Sequence, residues 1–247
     1  MKTYDLFSKH YDAVMGDSSD TSALLQKFID EHNPRSRSIL ELACGTGSVL
    51  QHFTKRYSVY GLDISSGMLS QAKKKVPSGK FSQQDMTRFK FSRKFDVILC
   101  VFDSINHLLK FSDWQKVFKK AYEHLNQEGV LIFDMNTEAK LQRVIIDTTP
   151  GVRVFGKNAM IMDVTGSGKS ISNWNVRIFE HRDKNQYIMY EENIREKAFP
   201  LNRVRKALGQ FRKVVVIDAN RKRPSVKSER LFFVCQKKRI KYKNIST

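Results

Sequence analysis

Long apolar runs are missing from this chain of 247 residues. No stretch of about 18 apolar residues occurs, so no membrane span is expected. The N-terminus, MKTYDLFSKHYDAVM, is amphipathic, carries acids and lacks the apolar core of a signal peptide. Cysteine is scarce. Cys44, Cys100 and Cys235 are far apart, odd in number and never spaced as CxxC. That pattern excludes a disulfide framework and a zinc knuckle, so no metal is expected. A reducing, cytoplasmic setting fits best. Cys44 and Cys100 sit at apparent strand ends and read as small buried residues.

Acids are scarce in the second half. Residues 1–140 hold 20 Lys/Arg against 16 Asp/Glu, a net +4, whereas residues 141–247 hold 24 against 9, a net +15. Nearly all of the overall +19 therefore comes from the C-terminal part. Such a field attracts phosphates, nucleic acid or anionic headgroups, and a solvated basic surface has the same composition.

What is present is alternation. RSILELAC (37–44), YSVYGLDI (57–64), GKFSQQD (79–85), KFDVILCVF (94–102) and GVLIFDMN (129–136) read as strands. Between them, GSVLQHFTKR, SGMLSQAKKKV (66–76) and SDWQKVFKKAYEHL (112–125) carry helical spacing. Ser112 or Asp113 is the expected cap of the last, with Trp114, Val117, Phe118, Ala121 and Leu125 as its buried stripe. After residue 140 the period changes to two, and an antiparallel three-stranded unit is expected over about 150–199. LNRVRKALGQ (201–210) then reads as a helix, and FRKVVVIDAN (211–220) and ERLFFVCQKKR (229–239) as strands joined by the basic turn RKRPSVKS. The tail KYKNIST is expected to be loose. The fold class is α/β: a doubly wound, mostly parallel seven-stranded Rossmann-like sheet with an antiparallel β insertion after strand five. Three parts follow: a donor-binding core with an N-terminal lid (1–140), the insertion (141–199), and a helix with two strands completing the sheet (200–247).

The glycine turn in ILELACGTGSVL (39–50) is defined by two further absences. Gly45 and Gly47 are followed by Leu50 where a dinucleotide fingerprint has its third glycine. A Walker A loop needs a lysine after the glycines, and Ser48 and Val49 stand there instead. GSGKS (166–170) looks like the end of such a loop, but Asp163 occupies the leading glycine's place, and the segment lies between antiparallel strand signals. It reads as a hairpin turn.

The turn does have an acid ahead of it, Glu41 in ELACGTG. This arrangement resembles the first motif of class I S-adenosylmethionine-dependent methyltransferases, with Ala43 where many members have the first glycine. Asp63, 18 residues past Gly45, stands at the end of strand two, where the family's carboxylate accepts the ribose hydroxyls. Asp85 and Met86 stand where the adenine is addressed. The resemblance covers about residues 37–136. It implies S-adenosyl-L-methionine as cofactor, with contacts from Glu41, Ala43, Cys44, Gly45, Gly47, Asp63, Ile64, Met68, Asp85, Met86, Val101 and Phe102. YDLFSKHYDAVM resembles the lid of small-molecule methyltransferases, which makes Tyr11 the aromatic cover over the sulfonium, with Tyr4 second. The insertion resembles the group that includes aminosugar N-methyltransferases, where it forms a wall over the acceptor.

DSINH (103–107) lies where acceptor and methyl group meet, so Asp103, Asn106 and His107 are the catalytic candidates. His107 is either a base or a structural histidine. The expected acceptor is a small, anionic or phosphorylated metabolite, N-methylated, with Arg153, Arg177, Arg182 and Arg195 as wall residues of which alternation lets only some face the cleft. RNA is the alternative acceptor, favoured by charge, although no spaced aromatic platform is present. A non-catalytic donor-binding partner is a further alternative. A monomer or a homodimer is expected.

Overall fold

In a computed structural model, residues 4, 7–168, 170–220 and 223–238 of the protein are described. Five strands share one direction: β1 (Ser38–Leu42), β2 (Ser58–Asp63), β3 (Lys80–Gln83), β4 (Phe95–Cys100) and β5 (Leu125–Asn136). Four more form a second sheet: β6 (Gly151–Phe155), β7 (Asn158–Gly166), β8 (Ile171–Asp183) and β9 (Gln186–Lys197). The last two, β10 (Lys213–Asp218) and β11 (Arg230–Gln236), return to the first sheet. Its order is β10-β11-β5-β4-β1-β2-β3, and β11 runs antiparallel to both neighbours. This is the expected seven-stranded α/β sheet.

Both faces of that sheet are covered, and strand alternation divides the core between them. Leu40, Ile98, Cys100, Leu131, Phe133, Phe233 and Cys235 point to one face and Ile39, Val97, Leu99, Val130, Ile132, Phe232 and Val234 to the other. Successive strand residues take opposite sides, so a continuous apolar run is what a sheet buried on both faces requires. On the first face lies α4 (Phe111–His124), whose Trp114, Val117, Phe118 and Ala121 are all at most 1% exposed. Each large side chain so buried contributes about 1.5–3 kcal/mol. The helix begins one residue earlier than expected, at Phe111, and has no side-chain cap. Phe111 is drawn in by edge contacts with Phe199, and Asp113 donates its N–H to the Lys110 carbonyl instead of capping. On the second face lie α2 (Ser19–His32), through Leu25, Phe28 and Ile29, and α3 (Ser66–Lys75), through Leu69. Ser65 caps α3 by accepting from the Met68 N–H at 3.1 Å.

Several expectations change. GSVLQHFTKR forms only a 3-10 turn at Leu50–Phe53, although Val49, Leu50 and Phe53 are buried as the spacing predicts. The chain must reach β2 by Ser58, which leaves no length for a full helix. The inserted sheet has four strands rather than three, because Gly156 (φ +59°) lets the chain reverse between Phe155 and Asn158. Two helices, α2 and α5 (Glu138–Ile146), are not among the expected elements; α1 (Tyr11–Met15) and α6 (Leu201–Ala207) are short. GSGKS does turn a hairpin, with Gly166 opposite Ser172. Its Lys169, the Arg221 and Lys222 of the basic turn, and the tail KYKNIST lie outside the described residues. No helix among the described residues is long and apolar enough to cross a membrane.

The inserted sheet buries Met160, Val176, Ile178 and Ile194 against Phe7 and Val14 of the N-terminal segment. That packing stands the second sheet and the N-terminal segment over the carboxyl ends of β1, β2, β4 and β5, where open α/β sheets carry their ligands.

Candidate active site

The turn after β1 is held in an uncommon conformation. Ala43 (φ +53°), Gly45 (φ +52°) and Gly47 (φ +73°) are all left-handed. Only the glycines adopt it freely, and a non-glycine there costs about 1–3 kcal/mol, sustained by its surroundings. Here those surroundings are hydrogen bonds. Cys44 N–H donates to the Leu62 carbonyl at 2.9 Å. Asp63 accepts from Gly45 N–H on one oxygen and from Ser65 N–H on the other, each at 2.9 Å. One carboxylate thus ties the glycine turn to the start of α3. Burial raises the Asp63 carboxyl above its ordinary range, and these N–H bonds oppose the rise. Gly47 also packs against α3: a Cβ there would meet Ala72 Cβ and Val76 Cγ2 at an ordinary 3.4 Å, so it is the φ of +73° rather than the space that calls for glycine.

A cleft of about 810 Å³ opens at this turn. Of the expected donor contacts, Tyr11, Ala43, Gly45, Asp63 and Ile64 line it, as do Met68, Asp85, Met86 and Phe102. His107 lines it too. Glu41, Cys44, Gly47 and Val101 do not line it; they are buried beneath, Glu41 at 3% exposure. Burial, and then the Asp63 charge, push the Glu41 carboxyl well above its ordinary range. Its Oε2 is buried with no hydrogen-bond partner among the described residues. Lining residues that the sequence did not single out include Gln84, Thr87, Ser104, Asn193 and Ile194.

A second chamber of about 430 Å³ adjoins the cleft, and Tyr4, Tyr11, Phe102 and Ile194 line both. The second chamber lies between the sheet ends, the N-terminal segment and the inserted sheet. Its polar lining comprises Asp103, Asn136, Lys140, Arg153, Glu196 and Arg230. Phe102 (φ +55°) and Asp103 (φ +50°) are consecutive left-handed non-glycines, a strained elbow directly after β4. Arg230, from the last strand, pairs with the fully buried Asp134 and reaches Asp103 at 3.2 Å. Burial still pushes the Asp134 carboxyl up to about 6, against the pull of Arg230. Glu196, 5% exposed, accepts from Asn136 Nδ2 at 3.0 Å. Burial, then the Asp103 charge, push it up to about 8. Asp103, His107 and Glu196 each place one potential ligand atom within 4.8 Å of the others.

Asn106 lines neither cavity. It is fully buried, and its amide donates to the carbonyls of Asn136 and Lys197, each at 3.0 Å, while its oxygen accepts from Asn136 N–H. It joins the end of β5 to the end of β9. His107 is kept neutral by burial. Its Nδ1 faces the Arg195 carbonyl at 3.4 Å, which assigns the proton to that nitrogen, so Nε2 accepts from the Tyr4 hydroxyl at 3.3 Å. Of the four wall arginines, Arg177 pairs with Asp163 and Glu191, and Arg182 with Glu180. Arg153 lines the second chamber and Arg195 the first cleft. Glu196 and Arg230 had no local signal in the sequence: each arrives on a strand far from Asp103, and only the strand order brings them together.

Residues 39–129 match the family model described as a methyltransferase domain. YqeM of Bacillus subtilis (strain 168), whose name assigns it provisionally to the methyltransferases, is 31% identical over 95% of this chain and 97% of its own. The dTDP-3-amino-3,4,6-trideoxy-alpha-D-glucopyranose N,N-dimethyltransferase of Streptomyces venezuelae is 33% identical over 53% of this chain and 54% of its own. A crystal structure of a S-adenosylmethionine-dependent methyltransferase from Clostridium acetobutylicum ATCC 824 superposes with a TM-score of 0.83 at 26% identity, covering 95% of this chain and 99% of that one. With a relative of this identity along nearly its whole length, and with Glu41, the glycine turn and Asp63 set at the strand ends of such a sheet, the chain belongs to the class I S-adenosylmethionine-dependent methyltransferases.

Proposed function

We propose that this methyltransferase acts on an amino nitrogen of a small, anionic metabolite held in the second chamber. The observation that carries the reading is the pairing of the two cavities: a donor-sized cleft and a smaller polar chamber share Tyr4, Tyr11, Phe102 and Ile194 as common lining. S-adenosyl-L-methionine, when bound, supplies an electrophilic methyl group on a sulfonium. The residues present fit it. Glu41 Oε2 is a buried acceptor without a partner among the described residues, and a cationic group near it would supply one. Asp63 would take the ribose hydroxyls, Gly45 and Ala43 the amino-acid part, Asp85 and Met86 the adenine, and Tyr11 the face of the sulfonium.

On the acceptor side, Arg153 has no ion-pair partner among the described residues, and Lys140 meets only Glu229, at 3.9 Å. Two cations in one chamber suit a phosphate or carboxylate. Asp103 and Glu196 suit an ammonium. Tyr4, Tyr11 and the inserted sheet cover the meeting point and exclude water, and the shared lining brings the nitrogen into line. Relatives that methylate amino groups of nucleotide-linked sugars carry names consistent with this reading. Incubation of the protein with donor labelled in its methyl group and a fractionated cell extract tests it. Label is expected in a small, anionic, amine-bearing fraction, and label confined to RNA would overturn it.

A further inference from the structure

The second chamber contains a carboxyl pair that donor binding does not use. Glu196 lies on β9 and Asp103 on the elbow after β4. The two carboxyls lie side by side in the lining of the chamber, with oxygens within 4.8 Å of each other, and neither lines the donor cleft. Glu196 is fixed from behind. Asn136 Nδ2 holds one of its oxygens at 3.0 Å. Asn136 is in turn held through its backbone N–H and carbonyl by Asn106, which also grips the Lys197 carbonyl next to Glu196. Asp103 is fixed from the other side by Arg230 at 3.2 Å and by its own N–H to Asp134. We propose that Glu196, working with Asp103, is the base that removes the proton from the acceptor's ammonium group, and that Asn106 and Asn136 are its positioning residues. This rests on the amine reading above.

The acceptor enters as R–NH₃⁺. One N–H bond breaks, the electron pair stays on nitrogen, and the proton passes to the ionised carboxylate. The nitrogen lone pair then forms the N–C bond as the S–C bond breaks, with that pair retained by sulfur. The product is R–NH₂CH₃⁺, and the carboxyl returns its proton to water between turnovers. A carboxylate of ordinary basicity is far too weak to take a proton from an alkylammonium. A carboxyl pushed up to about 8 is matched to that transfer. The groups that face it are Asp103 and His107 from the segment after β4, Arg230 of β11 and Tyr4 of the N-terminal segment. Lys140 of α5, Arg153 of β6 and Tyr11 line the same chamber. His107 is already engaged by the Tyr4 hydroxyl, which leaves the carboxyl pair as the open acceptor of a proton.

The test uses the full chain and three variants, Glu196→Gln, Glu196→Asp and Asn106→Ala. The probe is the extract fraction that the wild-type protein labels. Glu196→Gln retains an oxygen for Asn136, so it is expected to fold. Its affinity for S-adenosylhomocysteine by calorimetry is expected to be unchanged, because Glu196 does not line the donor cleft. Its label-transfer rate at saturating acceptor is expected to fall by about 100-fold or more, with loss of the wild-type rise in rate as pH passes through about 8. Glu196→Asp is expected to restore part of the rate and the pH limb, and Asn106→Ala to shift the limb upward, because Asn136 loses its support and with it the hydrogen bond that favours the ionised carboxylate. A Glu196→Gln rate equal to wild type with the same pH profile would overturn the assignment alone. Label in no small-molecule fraction would overturn the amine reading and this role with it. Loss of transfer on chelator treatment, restored by magnesium or manganese, would overturn it in favour of a cation held by Asp103, His107 and Glu196.

Discussion

Removal of the Arg230 guanidinium exposes how the site is held. Asp134 is fully buried, and its carboxylate has two donors, Arg230 and the Asp103 N–H at 3.1 Å. Arg230→Met keeps an apolar stem and deletes the charge, together with the guanidinium's contact over the Phe102 ring. Two neighbouring carboxyls are then left in a poorly hydrated place without their cation. Breaking a buried pair from one side costs about 3–5 kcal/mol. For a chain of this size that corresponds to a melting temperature lower by roughly 10 °C. The pH dependence is diagnostic. The folded-state carboxyl of Asp134 stands near 6, above its ordinary 3.8. A group raised in this way contributes stability that is full below its ordinary value and is lost as pH rises through the folded value. Loss of Arg230 raises that folded value further. The deficit of the variant is therefore expected to be small at about pH 5, where the carboxyl takes a proton, and largest at about pH 8. Urea denaturation at the two pH values measures it, and Arg230→Met with Asp134→Asn is expected to regain most of the loss. Equal deficits at both pH values, or a deficit at pH 8 below about 1 kcal/mol, would refute the reasoning, since a screened surface pair behaves in that way.

Three further outcomes are expected. Asp63→Ala removes two charge-assisted hydrogen bonds from the glycine turn along with the proposed ribose contact, so donor affinity by calorimetry is expected to fall about 100-fold or more; an unchanged Kd would sink the donor assignment. Arg153→Ala is expected to raise acceptor KM without changing donor affinity, while Arg177→Ala, whose guanidinium is occupied by Asp163 and Glu191, leaves both alone; equal effects of the two on KM would count against the chamber. Gly61→Ala would place a Cβ 2.6 Å from Cys44 Sγ and 2.8 Å from the Phe81 ring. That overpacking is expected to cost about 1–3 kcal/mol and to weaken donor binding through Cys44, and a melting curve identical to wild type would contradict it.

The parallel core was legible because each of its strands is an apolar run bounded by glycine, proline or charge, and because Glu41, Asp63 and Asp85 stand at strand ends in a fixed order. Those are local features. The Ser112 or Asp113 cap failed because burial of Phe111 outweighed a hydroxyl cap, and the fourth inserted strand was hidden because one glycine, Gly156, folds a single alternating run in two. Asn106 stands beside His107 in the sequence, yet it turns inward and serves the backbone. Glu196 and Arg230 were invisible for a different reason. Period-two alternation places Glu196 on one side of its strand without saying which side meets Asp103, and Arg230 reaches Asp134 only because β11 threads between β5 and β10.

That threading has a consequence for the order of assembly. On a ribosome, β5 is complete almost a hundred residues before β11 exists, and until then its outer edge offers unpaired amide and carbonyl groups. Asp134 and Asp103 wait over the same interval without their counter-charge. A nascent chain halted before residue 230 would hold the donor turn and the inserted strands, yet would present an adhesive edge and an acidic hollow where the finished enzyme has neither. The strand made last is therefore the one that joins β10 to the sheet and brings the counter-charge to Asp134 and Asp103 in a single event.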